Sequence, residues 1–117
     1  MATQALKIGR EAKNSYTVAY AQRVLGQIAQ DSGALSETHT HLREALDTFT
    51  SIQSRFEVGR THVAVAELAH AEGNAEAVAT HLRAAHVLYT ALRAPAYVER
   101  TEQLAREYGI SLAPESM

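Results

Sequence analysis

A chain of 117 residues with 11 Lys and Arg against 13 Asp and Glu, net charge −2, lacks the concentrated basic surplus that a nucleic-acid backbone demands. It has no cysteine, which excludes disulfides, thiolate metal sites and cysteine nucleophiles and fits a reducing compartment. No apolar run nears the ~20 residues of a membrane span, and the first ten residues lack a signal peptide's basic-then-apolar layout, so the expectation is a single soluble, cytoplasmic domain without nucleic-acid or membrane partners.

In chain order, the first segment to read as helix is 2–13, whose apolar stripe Ala2, Ala5, Gly9 and Ala12 is made of small residues. Asn14-Ser15 marks the start of a second helix, 15–32, with the stripe Val18, Ala21, Leu25, Ile28 and Ala29 and a stop at Gly33. The third, 35–53, places Thr38, Leu42, Ala45, Phe49 and Ile52 at spacings of 4, 3, 4 and 3, one face of an amphipathic helix. Ser54 to Glu57 fits a capping box opening a fourth helix, 55–72, with Val58, Thr61, Val65, Leu68 and Ala69 as its stripe. Gly73 ends it. Asn74 suits the N-cap of a fifth helix, 75–93, where Val78, Leu82, Ala85, Tyr89 and Leu92 repeat the 4-3-4-3 spacing. Pro95 fits the first turn of a sixth helix, 95–108, which Gly109 should end, and 111–117 reads as a flexible tail.

The tetrapeptide Thr40-His41-Leu42-Arg43 returns as Thr80-His81-Leu82-Arg83, forty positions on. The same shift carries Ala29 onto Ala69, Gly33 onto Gly73, Ala45 onto Ala85 and Thr50 onto Thr90. A fixed period of this kind signals a repeat architecture. The chain therefore reads as an all-α solenoid of antiparallel helix pairs within residues 1–110: a half-repeat 2–13, repeats 15–53 and 55–93, and a capping helix 95–108. The small-residue stripe of the first helix leaves that end of the stack unfinished, whereas the last helix carries Glu99, Arg100, Glu102, Gln103, Arg106 and Glu107 and suits a polar cap.

Leu25-Gly26, Gly33, Leu42 and Ala45, and in the second copy Val65-Ala66, Gly73, Leu82 and Ala85, resemble the tetratricopeptide repeat. The resemblance covers roughly residues 2 to 108. The usual period is ~34 residues, and the Trp and Tyr of the signature stand here as Gln22 and His62, and Ala29 and Ala69. The longer period is similar to the variety found in C-terminal regions of bacterial signalling ATPases and transcription regulators. The resemblance implies a right-handed superhelix and a non-catalytic scaffold. A peptide or protein segment would lie in the concave groove lined by the first helix of each pair. Carried over by position, that groove holds Tyr20, Arg23, Gln27 and Gln30, then Arg60, Val63, Glu67 and His70, then Arg100 and Gln103. Arg60 and Arg100 would sit one above the other and suit a carboxylate. A second expectation is self-association, a homodimer among the forms it could take, through the exposed ends of the solenoid; the unfinished first helix equally fits a chain cut from a longer solenoid.

No catalytic constellation is found. The histidine spacings along the chain (His39 with His41, His62 with His70, His81 with His86) do not match a helical zinc pair, and no phosphate loop is present. No metal, cofactor or catalytic residue is assigned. A small ligand-binding or metal-binding helical protein stays as the weakest of three readings, resting on six histidines alone.

Overall fold

The computed structural model describes the backbone of residues 2–112 and the side chains of 13–112. Five helices follow one another: α1 (Ala2–Asp31), α2 (Leu35–Ser51), α3 (Arg55–Ala71), α4 (Ala75–Ala91) and α5 (Pro95–Glu107), with no strand among the described residues. The expected break at Asn14-Ser15 is absent, and the first two expected helices are one element of 30 residues. The reason is local. Asn and Ser are mediocre helix formers that cost a few tenths of a kcal/mol each, and no Gly or Pro stands there to force a turn.

The chain divides into two compact units, Met1–Arg55 and Phe56–Met117, so the boundary falls between the two repeats. In the first unit α1 and α2 pack antiparallel, with Tyr16 against Phe49 and Gly26 against Leu42. The helices approach closely because residue 26 has no side chain: a Cβ there would come within 2.9 Å of Leu42 Cδ2. The face of α2 is the expected one, with Thr38, Leu42, Ala45 and Phe49 all buried.

The stripe expected for this stretch of α1 is overturned. Of Val18, Ala21, Leu25, Ile28 and Ala29, only Ala29 is buried, and Val18, Leu25 and Ile28 are 56%, 47% and 59% exposed. The face that meets α2 is built instead from Ala19, Arg23, Gly26 and Ala29. Helix α1 therefore has two apolar faces, one of small residues against α2 and one of larger residues that is exposed. Sequence pattern alone picked the larger side chains, which belong to the uncovered side.

In the second unit α3 and α4 pack antiparallel, and α5 lies antiparallel to α4. The contacts Phe56–Tyr97 and His70–Tyr108 run α5 parallel to α3. Ala66, Ala69, Val78, Leu82 and Ala105 form its core, joined by Leu104, Tyr108, Ile110 and Leu112. The stripe of α4 is buried as expected at Val78, Leu82, Ala85 and Tyr89. In α3, Thr61, Leu68 and Ala69 are buried and Val58 and Val65 are half-buried. The buried threonines Thr38, Thr61 and Thr101 each donate to the carbonyl four residues back, so no hydroxyl is orphaned.

Every helix closes in the same way. The residues Gly33, Gln53, Gly73, Arg93 and Gly109 all have positive φ. Each donates its N–H three residues back, and its successor donates five residues back, for example Ala34 N–H to Ala29 O at 2.8 Å and Ala94 N–H to Tyr89 O at 3.0 Å. This is the Schellman closure. Glycine enters the left-handed region freely at three ends, whereas Gln53 and Arg93 carry a Cβ into it. Arg93→Gly is therefore expected to stabilise the protein by about 1 kcal/mol, seen as a rise of a few degrees in the thermal midpoint. An unchanged or lowered midpoint would refute the strain at this end. At the opposite termini, Asn74 Oδ1 caps α4 by accepting the Ala77 N–H at 3.1 Å, and Pro95 opens α5. Beyond α5 the guanidinium of Arg83 donates twice to Ser111 O, at 3.2 and 3.0 Å. Ser111 and Leu112 are thus held against α4, and the tail that the sequence placed from 111 onward is fastened at its first two residues. The remainder, 113–117, lies outside the described residues, as do the side chains of Ala2, Ala5, Gly9 and Ala12.

Candidate functional site

The solvent-facing side of the first helices was the expected site, and the structure treats its members differently. On α1, Tyr20 is 43% exposed and Gln27 is exposed, while Gln30 is half-buried. Arg23 is only 3% exposed. Its guanidinium lies 5.1 Å from the Tyr20 ring centre and 5.3 Å from that of Phe49, held by cation–π contacts in a largely dry setting. Tyr16 completes the cluster, stacked on Tyr20 at 6.4 Å and edge-on to Phe49 at 5.5 Å. Arg23 is thus buried against aromatic rings, unlike the exposed members of the expected set. Its long stem lets a charged residue bury its length, and a sequence pattern shows the charge and not the stem.

On α3, Arg60 is exposed and its Nη1 lies 3.4 Å from Glu57 Oε1, a carboxylate that is itself buried. Val63 is half-buried. Glu67 and His70 are exposed, and the His70 ring stacks on Tyr108 with centroids 3.7 Å apart and planes 9° from parallel. Burial, and then the nearby carboxylates of Glu67 and Glu107, push the Tyr108 hydroxyl above its ordinary pKa. Glu67, His70 and Tyr108 therefore form a polar cluster where the ends of α3 and α5 meet. Arg100 and Gln103 are both exposed on α5.

A second constellation was missed. His62 on α3 and His81 on α4 lie with their Nδ1 atoms 2.9 Å apart. Two such nitrogens hydrogen-bond only when one carries the proton and the other accepts it, so the accepting ring is neutral with a bare Nδ1. Burial, and then the neighbouring His81, lower the His62 pKa to about 4, and burial lowers that of His81. The equivalent place in the first repeat holds Gln22 and His41, with the His41 ring donating through Nδ1 to Gln22 Oε1 at 2.6 Å. The signal was available. Both pairs are nineteen residues apart and related by the forty-residue shift, a spacing that joins two helices and that no single-helix pattern contains.

On α4, the Nε2 of His86 is buried without a hydrogen bond and lies 3.5 Å from Glu102 Oε2, near enough for an ion pair if protonated. Beside it an open depression of about 640 Å³ is lined by Tyr89, Arg93, Pro95, Val98, Glu99 and Glu102. Among the described residues no three His, Asp or Glu side chains are placed to hold a metal ion. No helix among them is long and apolar enough to cross a membrane. No known protein family, no curated protein and no solved structure matches this chain.

Proposed function

We propose that this chain is a tetratricopeptide-like interaction module, a solenoid of helix pairs that holds a protein segment on the polar side of its first helices. The observation that supports this most directly is the parallel course of α3 and α5. The two helices lie side by side through Phe56–Tyr97 and His70–Tyr108, and Arg60, Glu67 and His70 on one and Arg100 and Gln103 on the other are all exposed. Tyr20 and Gln27 are the exposed members on α1. Charged and amide side chains on rigid helices suit recognition of an extended segment, and two arginines suit one that carries carboxylates. The work is non-catalytic, needs no cofactor, and is placed in the cytoplasm, in keeping with a chain free of cysteine.

A panel of acidic and basic peptides titrated against the protein tests this reading. Binding of an acidic peptide is expected to weaken at least ~10-fold in Arg60→Ala/Arg100→Ala, about 1.4 kcal/mol or more, measured on protein shown folded by circular dichroism, since Arg60 also pairs with the buried Glu57 carboxylate. Equal affinity in the folded double variant, or no preference for acidic peptides, would remove the assignment.

A further inference from the structure

The most anomalous surface of the molecule is the outer face of α1. Val18, Leu25 and Ile28 are 56%, 47% and 59% exposed, Ala21 is exposed between them, and Val24 beside them is 37% exposed. Residues 14–30 contain one charged side chain, Arg23, and it is buried on the other side against Phe49. A helix face in water ordinarily carries charge, and an uncharged apolar stripe of this kind marks an interface.

The repeat indicates what covers such a face. Shifted by eighty, Val18, Ala21 and Leu25 fall on Val98, Thr101 and Ala105 of α5. There Thr101 and Ala105 are buried and Ala105 sits in the core with Val78 and Leu82 of α4. The same face on α1 asks for an antiparallel helix and has none.

We infer that this helix comes from a second copy of the chain, with α1 packed on α1 across a two-fold axis. The spacing of 18, 21, 25 and 28 is 3-4-3, which reads the same in both directions. Antiparallel pairing therefore sets Val18 opposite the second copy's Ile28, and Ala21 opposite its Leu25, small against large. Each stripe residue meets an apolar residue of the second copy, so a charge on the stripe would be buried without a partner. The stripe has none. Some 17 residues of paired helix, about 25 Å long, bury on the order of 800–1,000 Å² in all, the low end for a specific interface, and so give a concentration-dependent dimer. Tyr20 and Gln27 are turned more than about 100° round α1 from the stripe. Pairing therefore leaves the proposed peptide face open, and the two ideas stand or fall separately.

Sedimentation or light scattering of the full chain from about 1 to about 500 µM, the range a small interface demands, is expected to show monomer passing to dimer. Leu25→Glu and Ile28→Glu should each weaken the dimer at least ~10-fold while circular dichroism is unchanged, since both residues are exposed. Val87→Glu, at a 66% exposed position of α4, should not. Because 18 faces 28, Val18→Glu combined with Ile28→Lys should dimerise more tightly than either single variant. A mass of one subunit throughout, a dimer indifferent to both α1 variants, growth into open-ended oligomers, or no recovery in the double variant would each overturn the inference.

Discussion

Replacing Tyr89 with alanine is expected to destabilise the second unit by about 3–5 kcal/mol. Tyr89 is 2% exposed and carries the junction of three helices, with its ring 5.7 Å from Phe56 of α3 and 5.3 Å from Tyr97 of α5. Phe56 and Tyr97 are themselves edge-to-face at 4.7 Å, so removing the middle ring strands both. The gap has no neighbouring side chain on α3 at this point to fill it, because the ring rests against bare backbone. Gly59 has no Cβ, and one placed there would lie 2.9 Å from Tyr89 Cε1. Domain stabilities run from about 5 to 15 kcal/mol, so the variant loses about a fifth or more of the total. Urea unfolding followed by circular dichroism measures it, and a loss below ~1 kcal/mol would show that the aromatic cluster is not where this unit is held. Thr90→Ala, exposed on the same helix, provides a matched surface change of small effect.

Acidification is expected to weaken the fold through His62. Its pKa in the folded chain is about 4, below the ordinary 6.5 that it regains on unfolding. Between these values the unfolded chain binds the proton that the folded chain refuses. The stability is therefore present above pH ~6.5 and drains away as the pH falls toward ~4. Linkage alone would allow about 3 kcal/mol, and because the ring is only half-buried, solvent screening reduces this to about 1–2 kcal/mol. His62→Gln recreates the Gln–His pair that the first repeat already contains between Gln22 and His41. It should flatten the dependence of the thermal midpoint on pH between 7 and 4.5 while changing the midpoint little at pH 7. An equally steep decline in the variant would place the acid sensitivity elsewhere.

The helices α2 and α4 were legible because each buries one continuous stripe, and 4-3-4-3 spacing is the direct imprint of that geometry. Gly33, Gly73, Asn74, Pro95 and Gly109 announced the ends correctly because each supplies something specific to a terminus: a left-handed residue, a side-chain acceptor, a preset φ. The failures have equally definite causes. Gln53 and Arg93 close their helices in the glycine conformation, since the two bonds of the turn outweigh the strain of a Cβ. Apolarity gave Val18, Leu25 and Ile28 as buried, but apolarity states what a face prefers and not whether a neighbour is present. Arg23 and the His62–His81 pair escaped because their partners lie on another helix. Of the candidate site, the exposed positions on α3 and α5 could be read from the pattern, whereas the stacking of His70 on Tyr108 could not, since it depends on where α5 ends.

The uniform helix closures have a consequence for how such a chain can change length. Helices α2, α3 and α4 have 17 residues each, and α2 to α5 begin at 35, 55, 75 and 95. One rod plus one turn is thus a module of twenty, and the forty-residue repeat is two modules. Lengthening by a single module would exchange every first helix for a second one and place each stripe against the wrong neighbour. Lengthening by two would preserve every pairing. The sequence is in this sense counted in even steps. The same count would start a module at residue 15, and α1 runs through that mark without pausing, so the N-terminal stretch does not keep the meter.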